Sequence, residues 1–192
     1  MKKFISMALA LSVVLALFAG CAAGGNTETT EAPTEIPTGP QLLEGTLEDL
    51  LNQVVTEQPV EFAGGVIPVD LNDTSEEGLW AIQTYTGLDN ADSIKEAAVF
   101  EPMMGSQAFS MVMVRVADQG ATSEEVAAAM KAGIDTRKWI CVEADDLMVC
   151  SFGDVVMLIM LDTNLGLTAQ SFVDAFQKVC AAQFEGAEVT VY

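Results

Sequence analysis

Residues 107–118 are apolar on both of the faces that an extended chain presents. Alternation puts Ala108, Ser110, Val112, Val114 and Val116 on one side, and Phe109, Met111, Met113 and Arg115 on the other. A strand of this kind has to be covered on both sides, so it is expected at the centre of a sheet. Residues 97–104, rich in Val, Phe and Met, precede it, and Gly105-Ser106 between the two signals a two-residue hairpin. Residues 147–152 and 155–161 repeat the arrangement around Gly153-Asp154, a pair suited to a type II′ turn.

Helical signals separate these strands. Thr46 with Asp49 opens a helix over 46–56, where Leu47, Leu50, Leu51, Val54 and Val55 recur at helical spacing. A shorter helix is expected from about residues 73–75, carrying Leu79, Trp80, Ile82 and Tyr85, with Gly87 as its stop. Thr122 and Glu125 form a capping box for a helix over 122–134 whose buried stripe reads Val126, Ala129, Met130, Gly133 and Ile134. The last helix, 168–184, turns Phe172, Phe176, Val179 and Cys180 inward, and Gly186 ends it. Residues 60–72 read as irregular, 138–142 as a short strand and 188–192 as an edge strand. The pattern specifies an α+β fold: a mainly antiparallel sheet built from two hairpins, with amphipathic helices packed on it.

That domain, placed at 46–192, follows an address label. Lys2 and Lys3 precede an apolar run over 4–18, shorter than the ~20 residues that span a bilayer as a helix. The run ends in Leu17-Phe18-Ala19-Gly20-Cys21, which resembles a bacterial lipobox. Residues 1–20 are therefore read as a lipoprotein signal peptide and Cys21 as the lipidated N-terminus. Residues 21–45, rich in Thr, Pro and Glu, read as a disordered tether. The expected location is the outer face of the bacterial cell membrane, reached through lipid on Cys21.

Composition narrows the chemistry. The 192 residues hold no histidine, which removes Ser-His-Asp and Cys-His catalysis and every metal site that needs imidazole. With Lys2, Lys3 and the four tether glutamates set aside, six bases face twenty-four acids, a balance near −18 in the domain. Such a surface repels nucleic acid, so none is expected as a partner. The acidic runs Glu143-Ala144-Asp145-Asp146 and Asp70, Asn72, Asp73 lack the spacing of a calcium loop and read as solvated turns and a helix cap. No metal, cofactor or catalytic residue is assigned.

Arg115, Arg137 and Trp139 are the candidate binding residues. Arg115 lies on a strand in a chain poor in bases, where it would hold a carboxylate or phosphate, or else pair with a neighbouring acid. Arg137 and Lys138 before Trp139 make a small basic-aromatic spot of the kind enriched at interfaces.

Met103, Met104, Met111, Met113, Met157 and Met160 fall on expected strands and read as core filler rather than a thioether metal site. Cys141, Cys150 and Cys180 are an odd set. If 138–142 paired with 147–151, Cys141 and Cys150 would be diagonal neighbours ~7–8 Å apart, too far for a disulfide. Three reduced, structural cysteines are expected.

Four motifs carry a family resemblance: Ala98-Val99-Phe100-Glu101-Pro102-Met103-Met104, Met113-Val114-Arg115-Val116-Ala117-Asp118, Arg137-Lys138-Trp139-Ile140-Cys141-Val142 and Gly153-Asp154-Val155-Val156-Met157-Leu158-Ile159-Met160. Their order over residues 88–184, about half the chain, resembles the bacterial surface-protein family of domain of unknown function forty-three fifty-eight. The resemblance implies a lipoprotein with a tethered α+β domain. It assigns no activity and no site residue. The leading expectation is a non-enzymatic binding or interaction domain at the cell surface, meeting a protein or an envelope component. The alternatives are a small-molecule or cation-binding lipoprotein accessory to a transporter and, more distantly, a carboxylate-dependent hydrolase.

Overall fold

A computed structural model describes residues 41–192 of the chain. The residues read as signal peptide, lipidated Cys21 and tether lie, up to residue 40, outside the described residues. Each of the four helices begins at a hydroxyl side chain that accepts a hydrogen bond from a first-turn N–H: Thr46 for α1 (Leu47–Glu57), Ser75 for α2 (Glu76–Thr86), Thr122 for α3 (Ser123–Gly133) and Thr168 for α4 (Ala169–Gln183). At Thr122 the reciprocal capping box is complete. None of these helices is long and apolar enough to cross a membrane.

The strands are β1 (Gly64–Pro68), β2 (Ile94–Pro102), β3 (Phe109–Val116), β4 (Asp146–Phe152), β5 (Val155–Leu161) and β6 (Thr190–Val191). They form one sheet in the order β1-β2-β3-β5-β4-β6, antiparallel throughout. The doubly apolar strand is central, as its two faces require. Phe109, Met111 and Met113 join Leu47, Leu50 and Leu51 of α1 and Phe172 and Phe176 of α4 in one core. Val112, Val114 and Val116 join Ile82 of α2 and Val126, Ala127 and Met130 of α3 in a second core. The fold is α+β, with two helices packed on each face of the sheet.

Both hairpins hold their expected registers. Phe152 pairs with Val155, and Gly153 alone has the positive φ (58°) that a type II′ turn places at its first central residue. Phe100 pairs with Met111, the register that a turn at Gly105-Ser106 dictates, and the Gln107 N–H closes that turn on Met104 O at 3.3 Å. The ladder ends before the turn, however, so Met103 and Met104 stand exposed, while Met111, Met113, Met157 and Met160 are buried core filler.

Several local expectations are corrected. Residues 64–68, read as irregular, form an edge strand. Gly-Gly and Pro obscure it in sequence, yet Pro68 is tolerated at a sheet edge and Gly64 leaves room for the Phe100 ring. Residues 138–142 form no strand. The outer side of β4, where they would pair, is taken by β6 and by the Tyr192 N–H to Val149 O, and Cys141 has a left-handed φ of 67° that extended backbone excludes. Cys141 is therefore an exposed loop residue, while Cys150 and Cys180 are buried, and all three are free. The buried stripe of α3 passes through Ala127, with Ala129 and Gly133 exposed. In α2 the inward residues are Gly78, Ile82 and Thr86, which leaves Leu79 and Trp80 outside. Finally, residues 41–45 belong to the fold rather than the tether, because Leu43 is buried against the α1 and α4 core.

Candidate functional site

Two buried cations sit near opposite ends of β3 and on opposite faces of the sheet. Arg115 shares its face with Met113, and only 11% of its side chain is exposed. Its Nε donates to Glu96 Oε2 at 3.0 Å, and its Nη1 donates to Asp154 Oδ1 at 3.0 Å and to Leu43 O at 3.2 Å. Nη2 donates to Gly45 O at 2.9 Å. The other Glu96 oxygen accepts from the Leu47 N–H at 2.8 Å, in the first turn of α1. Lys95 then links Asp154 (3.4 Å) to Asp118. Four of the five guanidinium N–H groups are thus engaged within the chain, and the two-pronged fork that would grip an outside carboxylate or phosphate is not free. The arrangement fastens the start of the domain to the sheet. Gly153 contributes by having no side chain, since a Cβ there would collide with the Gln41 carbonyl.

The second cation is Lys138. The turn after α3 drives it inward until 7% of its side chain is exposed. Its Nζ lies 2.6 Å from Glu101 Oε1 and donates to Ser110 Oγ at 3.1 Å and to Thr84 O at 3.3 Å. The Tyr85 and Trp139 rings flank it, with centroids 5.2 and 5.3 Å away. The Glu101 contact is a close charge pair without the alignment of a hydrogen bond, because Oε1 has no aligned donor. Burial pulls the Lys138 ammonium below its usual range, against the opposing pull of Glu101 and Asp135. Burial, and then the Glu101 charge, push the Tyr85 phenol up.

Of the three candidate residues, Arg115 is the fastener just described. Arg137 is exposed and pairs with Glu143 at 3.1 Å, a contact worth little in water. Trp139 is half-buried, packs on the second core and serves as one of the rings around Lys138. Arg137 and Trp139 are brought together by sequence adjacency, and Arg115 lies far from both. Lys138 enters the sequence reading only as part of the basic-aromatic spot, and its partners Glu101 and Ser110 are not singled out there. Ser110 is the signal that points to them: a hydroxyl on an otherwise apolar strand face demands a buried partner.

Beside Lys138 a cleft of about 380 Å³ opens between α2 and the turn after α3, lined by Trp80, Gln83, Thr84, Gly133, Asp135 and Lys138. Close packing of the two helix ends shapes it: Gly87, with φ 77°, abuts Gly133, where any side chain would strike the Gly87 carbonyl. Trp80 is 64% exposed on the cleft wall. A cleft of about 400 Å³ at the Arg115 end is walled partly by Gln41 and Leu42 of the chain's own N-terminal segment. A broader groove of about 580 Å³, lined by residues that include Phe62, Gln107 and Leu167, carries no cation. The Trp80 cleft combines an exposed aromatic ring, hydrogen-bonding side chains and a buried charge pair, and it is the candidate ligand site.

The acidic runs are occupied locally. Asp145 accepts from the Thr163 N–H and hydroxyl, both at 2.8 Å, which hold its carboxyl below the ordinary value. Asp146 accepts from the Ala169 N–H at 2.8 Å in the first turn of α4, and Asp70 and Asp73 accept from the N–H groups of Asn72 and Ser75, both at 2.9 Å. Among the described residues no group of three or more Cys, Asp or Glu converges as a metal site would require. No family model, curated protein or solved structure matches the chain.

Proposed function

We propose that this chain is a lipid-anchored, extracytoplasmic, non-enzymatic binding protein of the kind the resemblance to the forty-three fifty-eight family implies. Cys21 carries the lipid, residues 22–40 span the distance to the domain, and the domain meets a protein or another component of the cell envelope. One observation supports this most: the domain's N-terminal end is fastened by Arg115 at one end of β3, while the Trp80 cleft lies toward the other. Arg115 and Ser110 are five residues apart, roughly 17 Å along a strand. A domain held at the first end offers the cleft away from its attachment.

Growth with an alkyne-tagged fatty acid tests the anchor. The full-length chain takes up label and the Cys21→Ser chain does not; an unlabelled wild-type chain overturns the anchored reading. Retention of the Cys21→Ser chain, which lacks the lipid, on isolated envelopes tests the binding. The cleft's volume lies within the range of small-molecule sites, which favours a discrete ligand group as what it takes.

A further inference from the structure

We propose that the cleft between α2 and the turn at residues 135–138 is a saccharide-binding site, with the Trp80 indole as the platform for a sugar ring. The inference rests on the extracytoplasmic reading above and names its ligand class, an envelope glycan. Trp80, Gln83 and Thr84 stand at i, i+3 and i+4 on α2, so one helix face presents an indole plate beside a carboxamide and a hydroxyl. Asp135 completes the cleft across from them, and its Oδ1 accepts from the Arg137 N–H at 2.9 Å, leaving the second oxygen.

The donor and acceptor set selects among ligands. A flat apolar ligand would cover Trp80 but leave Gln83, Thr84 and Asp135 desolvated without hydrogen-bond partners, which opposes its binding. An anion finds no free cation, since the Lys138 ammonium is taken by Glu101, Ser110 and Thr84. It also meets Asp135 and a domain balance near −18. A quaternary ammonium would find the Trp80 indole, but it meets the Lys138 ammonium in the same cleft, and its methyl groups offer Gln83 and Thr84 no hydrogen bonds. A neutral ring with one apolar face and hydroxyls at its edge matches all the groups present. The C–H face lies on the indole, and the hydroxyls exchange hydrogen bonds with Gln83, Thr84 and Asp135.

The chain has two tryptophans, so the Trp139→Phe chain leaves Trp80 as its sole indole reporter. The experiment titrates this full-length chain, in a detergent without a sugar headgroup, with N-acetylglucosamine and glucose tetrasaccharides, inorganic phosphate and choline. The expected result is a saturable change in Trp80 emission with one of the neutral tetrasaccharides. By calorimetry on the wild-type background, affinity for that saccharide falls at least ~10-fold in Trp80→Ala and in Gln83→Ala. Affinity is unchanged in Lys178→Ala, at an exposed ion pair with Glu57.

A flat response to both saccharides, a saturable response to phosphate or choline alone, or undiminished affinity in Trp80→Ala overturns the saccharide site. Envelope retention of the unlipidated Cys21→Ser chain separates that failure from failure of the wider reading. Retained chain with flat saccharide titrations removes the glycan and leaves the binding function. Retention that is abolished by protease treatment of the envelopes assigns the partner to protein and overturns the glycan. Loss of both retention and titration removes both.

Discussion

Arg115 and Lys138 are both sealed into the ends of one sheet, yet their surroundings differ in kind. Two carboxylates and two backbone carbonyls close around Arg115, and the carbonyls come from residues 43 and 45, some seventy positions earlier in the chain. Lys138 has one carboxylate, one hydroxyl, one carbonyl and two aromatic rings, and it floors an open cleft. The guanidinium suits the first role because its planar fork satisfies several acceptors at once. The ammonium suits the second because a compact charge fits between rings. On the proposed function, attachment belongs to one end of the molecule and recognition to the other.

Removing Arg115 is the strongest way to break that contrast. Arg115→Met leaves Glu96 without its cation and Asp154 with Lys95 alone, and it should cost about 3 kcal/mol in urea unfolding, the lower end of the range for a broken buried pair because Glu96 is partly solvated and Lys95 remains. Limited proteolysis should then cut first near residues 41–46. A loss below about 1 kcal/mol would make the network an ordinary surface cluster.

Lys138→Met should cost about 2 kcal/mol by stranding Glu101, and the added Glu101→Gln change should recover most of it, because the pair is then removed rather than broken. Failure of the second change to recover stability would point to ring packing as the main contribution of Lys138.

A local test sharpens the difference in openness. In the native state a maleimide should modify Cys141, in the exposed loop that follows Lys138, and spare Cys150 and Cys180 until the chain unfolds. Burial pushes the Cys180 thiol up to about 12 and the Cys150 thiol higher still, so neither offers thiolate near neutral pH. Peptide mapping that finds label on Cys150 in native protein would contradict the packing of β4.

The smallest effect concerns acid. Thr163 lowers the Asp145 carboxyl from its unfolded value of 3.8, so its stabilising contribution is full above that value and is lost as pH falls through the lower folded one. Asp145→Asn should flatten the pH dependence of the melting temperature in that window and lower the melting temperature slightly at neutral pH, where the native contribution is full.

Local chemistry was the legible part of the fold. The Thr caps, the Gly153-Asp154 turn and the double-sided alternation of β3 each depend on a few neighbouring residues, and each stands where the sequence places it, while the cap of α2 falls on Ser75 rather than on Asp73. What depends on distant partners was obscured. β1 exists because Phe100 and its strand receive Gly64, and no period in residues 60–72 records that. Trp80 reads as part of an apolar stripe because the true inward residues of α2 include Gly78 and Thr86, which carry no hydrophobic signal.

The same reason explains the candidate site. Lys138 meets Glu101, Ser110 and Thr84 across 37, 28 and 54 positions, so its role is visible only once the sheet is assembled. Arg115 stands out for its rarity, and its partners include the Leu43 and Gly45 carbonyls, which composition cannot rank.

The division between attachment and recognition is tested most directly by adding Trp80→Ala to the Cys21→Ser chain, which has no lipid to hold it, and measuring retention on isolated envelopes beside the melting temperature. Trp80 is mostly exposed and supports no core, so stability should stay within about 0.5 kcal/mol of wild type. Envelope retention should fall at least ~10-fold. Unchanged retention at unchanged stability would contradict the account, because the cleft would then have no part in what the domain binds.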